Sequence, residues 1–348
     1  MPKKVSSDTR QVVPEGETAE DLPEPRGLQG VSRRPMPIGS LTTKMRRLMT
    51  AQFRELQERV MRELESSGAL QIMADDAGIE GKAIPRAAVV DRAGPVGRGG
   101  MPLGPASRRE AARLFNRPGM EFTSKVMDGV FEDWTLTVEG RLTSAYRPMY
   151  EAGGRGAARK LGVRSVFDLR NPLILDSLKN RANLLTGSLA EDIFGRLKTV
   201  MADQFYIAGQ SPLEVAGTLR SEFSFLKKTR AELIARTETL AITSEAQHTV
   251  YMASGVKKKR WLTTLDGNER ETHFEAHGQM VQIDAPFQVG DSELQFPGDP
   301  AGDISELANC RCDMIPVVME DQQFEGATVW NGSNAPDQFA RERLQRAA

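Results

Sequence analysis

The sequence predicts an α+β protein with mainly helical arms and a helical domain, followed by a small β-containing C-terminal module. Three observations indicate this fold class. Long segments before Gly255 repeat apolar residues every three or four positions, which is the period of an amphipathic helix. Short apolar runs after Gly255 are bounded by Gly, Pro or Asp, as strands commonly are. Stretches rich in Gly, Pro and charge separate these segments and lack either period.

Composition excludes several classes of protein. The chain has 348 residues and a formal net charge of -1, so no global attraction to nucleic acid or membrane is expected. No apolar run approaches the ~20 residues that a membrane span needs, and we expect no membrane partner. The 2 cysteines are too few for a disulfide framework. We therefore expect a soluble protein that is made and kept in a reducing cytoplasm.

The N-terminal third alternates between irregular and helical patterns. Residues 1–40 are polar and aperiodic, which predicts an arm that is disordered or ordered by a partner. Residues 41–74 form an amphipathic helix. Its apolar face either joins the core of the protein or docks on a larger partner, and we expect a docking helix because little neighbouring sequence could cover it. Residues 75–107 form a Gly/Pro-rich linker that contains the main domain boundary.

Residues 108–255 are expected to form the helical domain. Pro148 and the pair Gly153-Gly154 should kink or interrupt its first long helix. Two capping-box patterns indicate later helix starts, one from Ser211 to Glu214 and one from Thr229 to Glu232. The long helices are expected at residues 121–161, about 173–209 and from the capping box at Thr229 to about Ser254.

Residues 256–318 are expected to form a small α/β module that contains Cys310-Arg311-Cys312. Its segments are short and flanked by turn residues, which is typical of strands in a small sheet. The strands are expected at residues 259–264, 279–283, 294–296 and 312–318. Residues 319–348 form a polar tail.

The module contains the residue types of a zinc site. His273, His277, Cys310 and Cys312 could hold a structural Zn²⁺ ion, because zinc accepts two His and two Cys in a tetrahedron. His273 and His277 would share one face of a helix. Alternatively, both cysteines are small buried residues and His273 makes hydrogen bonds in a polar cluster. Zinc is the single cofactor that the sequence suggests.

A second group of polar residues combines Glu238, Asp266, Arg270 and His273. Glu238 lies on an otherwise apolar helix face, so it needs a charged partner from another element. We expect Arg270 to pair with Glu238 and Asp266 to orient His273. This group is either a buried ionic cluster that fixes the fold of the module or a catalytic site with His273 as general acid or base.

A basic run precedes the module and could contact DNA phosphates. It consists of Lys257, Lys258, Lys259 and Arg260. No aromatic residues interleave with these cations, so stacking on bases is not expected. The alternative is an ordinary solvated surface.

Linked motifs along roughly half of the chain resemble the phage head morphogenesis family, the Mu F-like minor capsid proteins of tailed phages. The matching residues include Gly209-Gln-Ser211, Ala231 to Glu238, Trp261, Asp266, Arg270, His273, Gly278, Pro297-Gly-Asp299 and Asn309-Cys-Arg-Cys312. The resemblance implies a low-copy head component that is bound near the portal vertex of the virion. It implies the portal and the major capsid or scaffolding proteins as partners, with double-stranded DNA as a further candidate.

The function expected from these patterns is binding rather than catalysis, and no catalytic residue is assigned. The alternative is an enzyme in the C-terminal module, either a metal-assisted hydrolase or a transferase-like protein. The sequence contains no phosphate-binding loop, serine nucleophile elbow or dinucleotide fingerprint. A pocket would distinguish the two functions, because an enzyme should hold His273, Arg270 and Glu238 around an open concavity.

Overall fold

Long helices make up most of the described chain. A computed structural model describes residues 38–79, 113–163 and 169–318. The long helices are α1 (Ile38–Ser66), α2 (Ala69–Asp76), α3 (Pro118–Leu161), α4 (Pro172–Ala202), α5 (Pro212–Phe225) and α6 (Ala231–Ala253). Small antiparallel sheets follow α6, so the predicted α+β class is confirmed. None of the described helices is long and apolar enough to cross a membrane.

The start of α5 is a capping box, as predicted. Ser211 accepts a hydrogen bond from the backbone of Glu214, and the Glu214 side chain accepts one from the backbone of Ser211. The second predicted capping box is wrong. Residues Leu226–Arg230 form a π-helical turn that joins α5 to α6, and Arg230 keeps helical dihedral angles without a side-chain cap. A second π-helical turn, Asp203–Ile207, follows α4.

Helix α3 continues through the residues that were predicted to interrupt it. It spans 44 residues with Pro148 inside it, and it ends at Gly162 in the left-handed conformation. Gly153 explains why a helix breaker is present here. A Cβ atom at Gly153 would lie 2.3 Å from the carbonyl oxygen of Thr243 on α6. The glycine therefore permits two helix backbones to pack closely and does not end the helix.

Much of the apolar face of α1 packs on this chain's own helices, and the expectation that α1 docks on a partner stays a prediction. Phe53, Leu56 and Val60 have no exposed surface. Trp134 of α3 stacks on Phe53 and donates a hydrogen bond of 3.2 Å to the carbonyl of Gln52. Helices α1 to α6 share one hydrophobic core.

The C-terminal module is built on a three-stranded antiparallel sheet with the order β2-β1-β5 and a separate two-stranded hairpin of β3 and β4. The sequence did not predict β3. The elements are β1 (Lys258–Leu262), α7 (Glu271–Glu275), β2 (Met280–Gln282), β3 (Phe287–Val289), β4 (Ser292–Leu294), α8 (Ile304–Leu307) and β5 (Asp313–Val317). Trp261, Phe287 and Phe296 form the centre of its hydrophobic core, which also includes Val250 and Tyr251 of α6.

The proposed domain limits remain predictions. The arm at residues 1–40, the linker at 75–107 and the tail at 319–348 lie almost entirely outside the described residues. The helix predicted at residues 41–74 is α1, which begins at Ile38 and ends at Ser66. Gly68, in the left-handed conformation, separates it from α2.

Candidate functional site

Three predicted metal ligands lie together in the C-terminal module. His273 on α7 and the two cysteines before β5 place their ligand atoms within 4.8 Å of one another. His273 Nδ1 lies 3.2 Å from Cys312 Sγ and 3.8 Å from Cys310 Sγ. All three side chains are buried. We call His273, Cys310 and Cys312 the thiol–imidazole cluster.

Glu306 of α8 orients the histidine of this cluster. Its carboxylate lies 3.0 Å from His273 Nε2 and accepts a hydrogen bond of 2.8 Å from the Thr272 hydroxyl. Nε2 of the ring therefore faces a carboxylate, and Nδ1 faces the two sulfur atoms. The sequence analysis did not identify Glu306, because nothing in its local sequence distinguishes it from a surface glutamate.

The pKa values of the two thiols of the cluster are shifted in opposite directions. The hydrogen bond from Cys310, together with stabilisation of the thiolate by the neighbouring His273 ring, lowers the pKa of Cys312 to about 5. The same hydrogen bond to Cys312 and burial raise the pKa of Cys310. The cluster therefore favours one thiolate, on Cys312.

His277 does not join the cluster, although it was predicted as a ligand. Its Nδ1 atom accepts a hydrogen bond of 3.1 Å from the backbone N–H of Thr263, and its side chain is exposed. Helix α7 ends at Glu275, so the two histidines do not share a helix face. The predicted set of four protein ligands is thus reduced to three.

A small cavity of about 20 Å³ borders the thiol–imidazole cluster. Polar side chains surround it together with the cluster itself. The other lining residues are Thr263, Thr264, Asn268, Glu269, Arg270, Asn309 and Arg311. Its volume is far below the ~300 Å³ at which small-molecule pockets begin.

The predicted pair of Glu238 with Arg270 is not formed. Glu238 instead binds Arg181 of α4 through two hydrogen bonds of 2.8 and 3.1 Å, and the Tyr146 hydroxyl donates a third of 2.7 Å. The partner of Glu238 does come from another element, as its apolar surroundings required. Burial and the nearby carboxylate raise the pKa of Tyr146 well above its ordinary value, so its hydroxyl stays a donor.

Two turns of the module dock against α6 beside this ion pair. Gly298, with φ of +83°, lies so close to α6 that an added Cβ would be 2.8 Å from the Cβ of Ala241. Arg181 also reaches the carbonyl of Gly298 at 3.5 Å. At the second turn, the backbone N–H of Asn309 donates to the Thr237 hydroxyl at 3.1 Å. The motifs around Glu238, Gly298 and Asn309 thus meet at one interface.

The other members of the predicted ionic group have separate partners. Asp266 forms a salt bridge with Arg311 near the surface, and this pairing lowers the pKa of Asp266. Arg270 donates to the carbonyl of Ala308. His273, Arg270 and Glu238 therefore do not surround one concavity, and the arrangement expected of the alternative hydrolase or transferase is not assembled by the described residues.

The basic run is divided between the two faces of β1. Lys257 and Lys258 are exposed, and they stay candidates for phosphate contacts. Lys259 is 0% exposed, because alternate side chains of a strand point to opposite faces, so it is not available to DNA. Its Nζ atom donates to the backbone and side-chain oxygens of Gln295 at 2.9 and 2.8 Å and lies 3.2 Å from His248 Nε2.

Residues 196–315 match the family described as Phage Mu protein F like protein. The match begins in α4, includes the π-helical turns and α6, and ends inside β5. It therefore contains Glu238, the two docking turns and the whole thiol–imidazole cluster. The predicted resemblance to a phage head morphogenesis family is confirmed over this segment.

Curated relatives match parts of the chain. An uncharacterized protein YqbB of Bacillus subtilis is 39% identical over 115 residues, which are 32% of this chain and 37% of that protein. The NAD(+)--arginine ADP-ribosyltransferase EFV of Enterococcus faecalis is 30% identical over 151 residues, 42% of this chain and 30% of that protein. An uncharacterized protein of Haemophilus influenzae is 30% identical over 95 residues, 27% of this chain and 19% of that protein.

The chain thus spans about a third or less of the length of each relative. The matched segment covers 30% of the transferase, and the name of that enzyme describes the relative. No solved structure matches the chain.

Proposed function

We propose that the protein is a minor head protein of a tailed phage, because residues 196–315 match the family described as Phage Mu protein F like protein. It acts in head assembly near the portal vertex and contacts the portal and other head components. Its place is in the virion, and its role is to bind rather than to catalyse.

The observation that carries this proposal is the position of the family match. The matched residues include Gly298 and Asn309, whose turns dock the C-terminal module on α6, and Glu238, whose partner Arg181 also reaches the Gly298 carbonyl. Such contacts hold two structural units in a fixed relation, which suits a protein that bridges other head components. The lack of a shared concavity around His273, Arg270 and Glu238 favours this role over the enzyme alternative.

The proposal is tested by deleting the gene from the phage genome and supplying it from a plasmid. We expect the deletion to lower the yield of infectious particles and the plasmid copy to restore it. Mass spectrometry of purified heads should detect the chain in particles from the complemented strain. A tagged copy should also retain the portal protein of the same phage in a pull-down from infected cells.

A matched pair of variants adds a structural control. Arg181→Met breaks the buried ion pair with Glu238. Arg236→Met breaks an exposed ion pair with Glu232, one helical turn away on α6. We expect Arg236→Met to complement the deletion and Arg181→Met to complement it poorly. A role in the head would be contradicted if the deletion strain were fully infectious and wild-type heads did not contain the chain.

A further inference from the structure

The thiol–imidazole cluster has the dimensions of a metal site. With Zn–S bonds of about 2.3 Å and Zn–N bonds of about 2.0–2.1 Å, a tetrahedral site separates its N and S ligand atoms by roughly 3.6 Å. The observed separations from His273 Nδ1 are 3.2 Å to Cys312 and 3.8 Å to Cys310. These values bracket the expected one, so an ion could enter with shifts of a few tenths of an ångström.

The chemistry of the ligands selects the ion. Two sulfur atoms and one imidazole suit Zn²⁺, whereas Ca²⁺ and Mg²⁺ prefer oxygen. The contact between Glu306 and His273 Nε2 repeats the carboxylate–histidine arrangement that orients histidine ligands in zinc proteins. It fixes the ring with Nδ1 toward the sulfur atoms and makes that nitrogen a stronger ligand.

The fourth coordination position would face the small cavity. His277 is held by the backbone of Thr263 and lies outside the group of ligand atoms. The cavity beside the cluster measures about 20 Å³. A water molecule needs at least ~10–15 Å³ and several polar partners, so this space accepts one water and no larger ligand.

From this geometry we propose that the protein binds one Zn²⁺ ion through His273 Nδ1, Cys310 Sγ and Cys312 Sγ, with a water molecule as the fourth ligand. The ion links α7 to the turn that precedes β5. It stabilises a module whose hydrophobic core is small, as metals commonly do in domains of this size. Zinc binding goes beyond the proposed role in the head and does not depend on it.

The test uses the full chain, purified under reducing conditions so that both thiols stay free. Elemental analysis should find one zinc per chain. After chelation and refilling with Co²⁺, the spectrum should show the charge-transfer absorption of cobalt bound to thiolate. Zinc should protect both cysteines from alkylation, as measured by mass spectrometry, and should raise the Tm of the chelated protein.

Variants separate the proposed ligands from their neighbours. His277→Ala should bind zinc like the wild type, whereas Cys310→Ser, Cys312→Ser and His273→Ala should lose the stoichiometric ion. Glu306→Gln should keep it with roughly 10–100-fold weaker affinity, because the histidine is then less well oriented. The alkylation and cobalt measurements on wild-type protein remain decisive where a ligand variant fails to fold.

Two results would overturn the proposal. One is a wild-type protein that, once refilled, shows neither a cobalt–thiolate band nor metal-dependent protection of its cysteines. The other is a folded His277→Ala variant that does not bind zinc. That result would mean that His277, and not a water molecule, is the fourth ligand.

Discussion

Single polar side chains with buried surroundings determine much of the behaviour of this protein at the residue scale. The sequence identified Glu238 as a residue that needs a partner, because it lies on an otherwise apolar helix face, and His273 as a candidate metal ligand or member of a polar cluster. It could not identify Arg181, which is 57 positions away from Glu238, or Glu306, which is 33 positions beyond His273. Pairs of this kind depend on tertiary packing, and no local rule specifies them.

Lys259 should make stability depend on pH. Burial lowers its pKa from the ordinary 10.5 to about 7, although the carboxylates of Asp299 and Asp284 oppose this shift. Between these pKa values the unfolded chain binds more protons than the folded one, so stability rises with pH. The destabilising effect is fully present below pH 7 and is lost as the pH rises toward 10.5.

The measurement compares wild type with Lys259→Met by urea unfolding at several pH values. The variant should lack this contribution, so the difference between the two free energies of unfolding should change by up to about 1.4 kcal/mol per pH unit between pH 7 and 10. Other groups that titrate in this range and lie away from Lys259 cancel in the difference to a first approximation. A difference that is independent of pH would show that Lys259 stays charged in the folded protein.

Loss of Arg181 should be much more damaging than loss of a surface arginine. Arg181→Met leaves the buried Glu238 carboxylate without its charged partner, which costs about 3–5 kcal/mol. Arg236→Met removes an exposed pair with Glu232 and should cost under about 1 kcal/mol. Chemical denaturation of both variants checks this ranking, and equal costs would mean that the buried pair adds nothing to the fold.

At the scale of elements, one of the two predicted capping boxes was correct, and the packing signals were ambiguous. The capping box at Ser211 was predicted because all its contacts lie within four residues. Gly153 was misinterpreted as a break, since a glycine that ends a helix and one that admits a neighbouring backbone look alike in sequence. Strand β3 was missed, although β2 and β4 are equally short.

Gly153 gives a direct test of the close packing between α3 and α6. Gly153→Ala places a Cβ atom against the Thr243 carbonyl and should lower the free energy of unfolding by about 1–3 kcal/mol, because the helices must separate. Gly129→Ala is the matched control on the same helix, with open space around its Cβ. It should be neutral or stabilise by about 0.5–1 kcal/mol. A tolerated Gly153→Ala would contradict the close approach.

At the scale of the whole molecule, the structure joins units that the sequence suggested were separate. The apolar face of α1 belongs to the same core as α3 and α6, so α1 is part of the helical body. The C-terminal module in turn shares its core with the end of α6. Helix α6 therefore contacts both regions, and it lies within the segment that matches the phage family.

The π-helical turn at Leu226–Arg230 determines how these regions face one another. Such turns are typically isolated widenings inside an otherwise regular helix, and each adds about one residue to a turn. Every residue of an α-helix advances by roughly 100° around the axis, since a turn contains 3.6 residues. Without the extra residue, α6 would rotate by about that angle relative to α5, and Glu238 would point away from Arg181. The π-helical turn at Leu226–Arg230 thus sets the orientation of α6 and of the C-terminal module that follows it.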